Sequence, residues 1–391
     1  MAARRVVVGS LLVLATLAPL PAHAQSTRVD AIGAEQADKA RHLGVEDASD
    51  AEKIVKRVLQ SPLLSGDGGV YPWFGSVYGG SGMSAGVGVL HRLQRAASIN
   101  AQAGVSINGS MMARTNVVAP ELWRGLLRLD ATAGWTRAND VAFYGVGQQS
   151  SQHRRQDYRY EPTEVAGNVT LRPIRFVAIT GSYAYLGFSS EREHERDNTV
   201  QFGLERNLDF NIWRQSIVLD TRPAPAYSTR GTMLRATFEQ NAEASGRPYS
   251  FKAQEYEASQ LVPLVKEQFV IALRGLVTLT STAEGQHVPV PMAPYLGSGS
   301  TLRGFGNRRF TDRNRALLSG EYRWRPSRYL DMALFMDAGQ VAPTHDFDLD
   351  DFDIDWGIGA RFHGPTFTAW RVELARGREG LRMVFAGSQA F

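Results

Sequence analysis

The chain has 391 residues, a net charge of +4 and no cysteine, with 38 glycines and 10% aromatic residues. That excludes a disulfide-stapled fold and a lipid-modified cysteine anchor. The isoelectric point of 9.3 would suit a nucleic-acid binder, but the net charge is small for this length, so arginines lining a wet channel are the better reading and no nucleic-acid partner is expected.

The N-terminus reads as an export signal over residues 1–24. Arg4 and Arg5 open it, Val6 to Leu17 form a short apolar run, and Ala22-His23-Ala24 is a small-residue cleavage site. The run is shorter than the ~20 residues a membrane-spanning helix needs, and every later apolar stretch is short and broken by charge. Residues 25–65 form a predicted periplasmic lead segment. Ser49-Asp50-Ala51-Glu52 is a capping box. Ile54, Val55, Val58 and Leu59 follow at helical spacing, and Ser61-Pro62 ends the helix. This short amphipathic helix either docks on a barrel, enters its pore or belongs to a loose tether.

From 70 to 391 only strand-like segments follow. They fall near 81–92, 95–116, 121–136, 156–172, 173–188, 198–206, 210–221, 229–241, 248–261, 267–282, 314–325, 329–340, 353–362, 367–376 and 380–391. That makes fifteen, whereas bacterial barrels have even strand numbers, so sixteen is the expectation. The missing strand is sought within 70–80 or inside the long 95–116 segment.

The C-terminal segments alternate in polarity at every second residue. Outward parity holds Leu334, Met336, Ile354, Trp356, Ile358, Trp370, Val372, Leu374, Leu381, Met383 and Phe385. Inward parity holds Glu321, Arg323, Asp337, Asp355, Arg361, Arg371, Glu373 and Arg382. A soluble sandwich would bury the apolar face and wet the other. A transmembrane antiparallel β-barrel instead turns the apolar face to lipid and keeps the charges in an aqueous lumen. Short and long connections alternate, as expected of periplasmic turns and outer loops. The longest, 283–314, is predicted to be an outer loop with a task of its own.

That loop contains Leu296-Gly297-Ser298-Gly299-Ser300-Thr301-Leu302-Arg303-Gly304-Phe305. The next two strands carry the inward carboxylates Glu321 and Asp337. A loop folded into the lumen would set Arg303 between them, where its planar fork engages carboxylates in pairs. Gly304 would allow a sharp backbone turn.

With these residues in place, the chain resembles the Omp85 superfamily, of the BamA and TamA type with a surface-antigen D15 barrel. The resemblance implies an Arg-Gly-Phe tip on the sixth outer loop, here Arg303, Gly304 and Phe305, folded into the lumen against Glu321 and Asp337. Phe143-Tyr144-Gly145-Val146-Gly147, Asp220-Thr221-Arg222 with Pro225 and Gly231, Gly357-Ile358-Gly359-Ala360-Arg361 and the terminal Phe391 add to it. The likeness spans about 70–391. Residues 25–65 are too short for one POTRA domain, so a barrel-only member is expected.

The resemblance implies a role in inserting or translocating proteins or lipids at the bacterial outer membrane. The alternatives are a passive or gated pore and a structural surface antigen. Expected partners are outer-membrane lipid, the insertion machinery that reads Phe391 as a terminal signal, and a client polypeptide or periplasmic partner. Neither enzymatic activity nor a cofactor or metal is expected. Gly82-Met83-Ser84-Ala85-Gly86 matches a nucleophile elbow in spelling, but no helix pattern follows it. Asp346, Asp348, Asp350, Asp351, Asp353 and Asp355 read as a solvated acidic loop rather than a calcium site, since the glycine and final glutamate of such a loop are absent.

Overall fold

The computed structural model describes residues 5–6, 69–93, 97–192, 203–204, 207–265, 267–364, 368–387 and 390–391. The cleavage site and the predicted 49–60 helix lie outside the described residues. Sixteen antiparallel strands form one sheet in chain order. They are β1 (Gly69–Gly75), β2 (Ser84–Leu93), β3 (Ala97–Ser106), β4 (Met111–Leu122), β5 (Leu127–Phe143), β6 (Gln156–Ile174), β7 (Val177–Arg192) and β8 (Leu208–Asp220). The rest are β9 (Gly231–Glu243), β10 (Phe251–Val265), β11 (Phe269–Thr282), β12 (Asn314–Ser327), β13 (Leu330–Ala342), β14 (Asp353–His363), β15 (Thr368–Gly377) and β16 (Gly380–Ala386).

The count of sixteen agrees with expectation, but two strands were hidden and one predicted strand is absent. The 95–116 segment is β3 plus the start of β4. An Asn108-Gly109 hairpin turn divides them, where Ser110 N–H donates to Ser106 Oγ (3.0 Å) and Gly109 takes φ +77°. β1 was obscured by Pro72. An edge strand tolerates a proline because one row of its backbone groups has no ladder partner. The 198–206 segment supplies no strand among the described residues. The last strand stops at Ala386 rather than running to 391.

Strand parity sorts the two faces as polarity dictates. On β13, Leu334 and Met336 are 49% and 56% exposed, while Ala333, Phe335 and Asp337 are buried. β14 repeats this, with Ile354, Trp356 and Ile358 exposed and Asp353, Asp355 and Arg361 buried. Such a belt of large exposed apolar side chains suits hydrocarbon, where alternation lets one strand face lipid and water together. The connections are tight on one side, as at 175–176 and 328–329, and long on the other, as at 144–155, 283–313 and 343–352. The long side is the outer one.

The sheet runs linearly from β1 to β16, and no ladder joins those two strands among the described residues. Among the described residues, the first and last strands each therefore have one edge with no ladder partner. At the outer end, loop residues pack into apolar clusters. Val290 joins Phe143, Tyr158 and Val141, with Tyr78 and Leu204 against them. Val288 and Met292 join Phe188, Phe210, Tyr249 and Phe251.

Candidate functional site: the long outer loop inside the lumen

The 283–313 loop turns back into the barrel. A two-residue pairing of Tyr295–Leu296 with Phe310–Thr311 closes its base, and 297–309 forms the tip. Leu296, Leu302, Phe305 and Phe310 bury against Leu276, Leu317 and Val341 of the wall. The loop's apolar residues thus form its floor.

Arg303 is 1% exposed. Its Nε and Nη2 donate to the two carboxylate oxygens of Asp337 at 2.6 and 2.9 Å. Its Nη1 donates to Glu321 Oε1 at 2.6 Å and to Glu373 Oε1 at 3.2 Å. The guanidinium lies 3.6 Å from the centroid of the Phe335 ring, which presents its electron-rich face to the cation. The sequence therefore anticipated two of the three acids that meet Arg303, and Glu373 is the third. Parity had placed Glu373 inward; only the barrel's curvature brings β15 to the same spot as β12 and β13.

The three acids are shared with further cations. Glu321 also accepts from Arg361 Nη2 (2.6 Å) and Arg323 Nε (2.7 Å). Glu373 accepts from Arg361 (3.2 Å) and Arg371 (2.5 Å). Asp355, opposite Asp337 in the ladder, accepts the Gly304 N–H at 2.9 Å. Four arginines thus face four carboxylates in one cluster, each side chain nearly fully buried. Burial would be prohibitive for any one of these charges alone and is sustained by mutual pairing and hydrogen bonding.

The glycines here are needed for space. Gly304 lies in the expected tight turn, where Phe305 N–H donates to Leu302 O at 3.2 Å, but its φ is not positive, so the turn conformation does not by itself demand a glycine. A Cβ at Gly304 would instead meet Asp355 Cβ and Gly377 N at 2.7 Å each. Gly357 admits the Phe335 ring, and Gly359 admits the Glu373 side chain. The Gly357-Ile358-Gly359 string is thus the floor on which the cluster rests.

A second loop braces the first. Gly147 N–H donates to Thr311 O at 2.8 Å, and Gly145 and Gly147 take φ of +96° and +98°. Gln148 Nε2 donates to Asp353 Oδ2 (2.5 Å), and its Oε1 accepts from Val341 N (2.8 Å). Arg309 donates to Glu379 Oε1 (2.7 Å) and Ser150 Oγ (2.9 Å). Neither Gln148 nor Arg309 was picked out in the sequence, because neither has a local signal. Of the acidic string, Asp353 pairs with Arg378 at 2.7 Å and Asp355 faces the lumen, which leaves four in the loop proper. Ser84 opens β2 and accepts the Val77 N–H at 3.2 Å; a strand follows it, not the helix of an elbow.

Phe391 sits inside the barrel. Its ring packs on Leu261, Val270 and Ala272, with the Arg323 and Arg274 guanidinium groups 5.3 and 5.8 Å from its centroid. Leaving the ladder after Ala386 takes the chain end off the lipid-facing parity and into the lumen.

The Omp85 superfamily domain matches residues 95–377. No curated protein matches the chain in sequence. Among solved structures, BamA from Haemophilus ducreyi lacking POTRA domains 1–3 is similar, with a TM-score of 0.61 at 14% identity over 82% of this chain and 70% of that one. CdiB from Escherichia coli gives 0.57 at 12% identity over 81% of this chain and 61% of its own. CdiB from Acinetobacter baumannii gives 0.51 at 12% identity over 81% and 58%. The chain thus spans under two thirds of either CdiB, and at these identities the likeness is one of fold. Since the domain match covers most of the sheet and the loop tip, this outer-membrane barrel belongs to the Omp85 superfamily.

Proposed function

We propose that the barrel inserts or translocates polypeptides, or lipids, at the outer membrane, and that the Arg303-Gly304-Phe305 tip is a lock holding the long loop against the inner wall through Glu321 and Asp337. The observation that supports insertion most directly is the seam in a family-matched barrel: β1 and β16 carry no ladder between them among the described residues. A client strand finds free backbone donors and acceptors there, which is how an edge recruits an extended chain. The lock steadies the wall beside that seam, because the cluster ties the loop to β12, β13, β14 and β15. Phe391 serves as the terminal signal read by the insertion machinery before folding. Once the barrel is made, the ring withdraws into the lumen. Client chains and a periplasmic partner are the implied companions, and catalysis is no part of the role.

A photo-crosslinking residue at Phe74 on β1 or Met383 on β16, both highly exposed, should capture extended client chains. The same residue at Trp213 on β8 should not. Equal capture at all three positions, or none with steady conductance in planar bilayers, would replace this reading with that of a pore. The charged lumen favours the pore, but its charges are mutually paired and apolar loop clusters pack at its outer end.

A further inference from the structure

The periplasmic rim carries arginines that the lumen chemistry does not use. Arg124 follows Trp123 in the β4–β5 turn. Arg172 and Arg175 flank the end of β6, and Arg328 precedes Tyr329 in the β12–β13 turn. All four are exposed, and none forms an ion pair among the described residues. This sets them apart from Arg222 and Arg230 on the same rim, which pair with Asp220 (2.9 Å) and Glu267 (3.3 Å).

Exposed apolar or aromatic residues share these turns and strand ends. Trp123 is 73% exposed and Ile174 51%. The Arg175 guanidinium lies 5.2 Å from the Phe176 ring, and that of Arg328 lies 5.5 Å from Tyr329. Just above the β12–β13 turn, Phe269, Tyr322 and Trp324 stack in a row on the outer face, with centroids 6.0 and 6.1 Å apart. That is the geometry of a membrane interface, with rings at headgroup depth and cations one turn further out.

We propose that these arginines form a collar that binds the phosphates of anionic glycerophospholipids in the periplasmic leaflet, rather than a docking patch for a soluble partner. The argument is one of distribution. The turns that carry them run from β4 to β13, more than half of the strand order. A protein partner docks on one patch, whereas a collar meets whatever surrounds the barrel. Guanidinium groups suit phosphate oxygens because their planar fork donates two parallel hydrogen bonds, and a negative leaflet surface attracts basic segments. The proposal rests on the barrel spanning a bilayer.

The test uses the full chain refolded into phosphatidylcholine bilayers with spin-labelled phosphatidylglycerol or phosphatidylcholine as the probe. Wild type should enrich the labelled phosphatidylglycerol about 3- to 5-fold over phosphatidylcholine at low salt, falling towards unity in 0.5 M NaCl, on the order of what a few interfacial cations supply. The variant with Arg124→Gln, Arg172→Gln, Arg175→Gln and Arg328→Gln should lose the enrichment while keeping its folded gel mobility. The matching four Arg→Lys changes should keep most of it. Equal enrichment in wild type and the Gln variant would overturn the proposal. So would absent enrichment in wild type, or a soluble periplasmic protein whose binding alone depends on the four arginines. A variant that fails to insert would show as lost gel mobility, which separates failure of the barrel from failure of the collar.

Discussion

Replacing Arg303 with alanine removes four donated hydrogen bonds, but the cost is set by what is left behind. Glu321 retains Arg361 and Arg323, and Glu373 retains Arg361 and Arg371. Asp337 loses its cation and keeps a second carboxylate, Asp355, across the ladder. One buried charge is therefore orphaned rather than three. Deleting one partner of a buried pair costs about 3–5 kcal/mol, against roughly 6–12 kcal/mol if four charge-assisted bonds were simply added. For a chain of this size the smaller figure lowers the unfolding midpoint by about 4–7 °C. The assay is heat-modifiability of the refolded barrel on gels, with urea titration as a second readout. Arg303→Ala combined with Asp337→Ala should recover much of the loss, because the orphan is gone. An unchanged midpoint in Arg303→Ala, or a double variant no better than the single, would refute the claim that an uncompensated carboxylate dominates.

Gly304→Ala should lower the same midpoint through overpacking against Asp355 and Gly377, by about 1–3 kcal/mol, with Arg303 still present; a neutral result would mean the tip has room the geometry denies. Leu334→Arg, on the lipid face of β13, should cost about 2–4 kcal/mol if that position lies near the bilayer midplane, measured by reversible unfolding from lipid vesicles; no effect would contradict the membrane assignment. Deleting Phe391 should leave unfolded chain in the periplasm, measured by surface labelling against total protein, and normal surface levels would remove its signalling role. A deletion that reaches the surface but loses heat stability would assign the ring to packing on Leu261 and Val270 instead.

The strand pattern was legible wherever one strand faces two solvents. From β12 to β16 alternation alone placed Arg323, Asp337, Asp355, Arg361 and Glu373 on the inner wall, because a period of two is imposed by the pleat itself. It failed where local chemistry masked the pattern. The 95–116 segment runs across the Asn108-Gly109 turn, a hairpin signal that alternation by itself does not register, and Pro72 disguises an edge strand. At the chain end, parity does not say when a strand will leave the ladder, so Phe391 was read as part of β16.

Half of the site was legible too. Arg303 with Glu321 and Asp337 came from a loop tip and two neighbouring strands, which are close in sequence order. Glu373, the Gly304 contact with Asp355 and the brace from Gln148 and Arg309 did not, since those residues lie on strands or loops far along the chain. Sequence alone determined which side chains face inward, because that needs only the two-residue repeat and the polarity of each residue. Tertiary structure decided which inward residues meet. Sheet curvature and ladder register bring β12, β13 and β15 around one guanidinium, and no local periodicity encodes that distance.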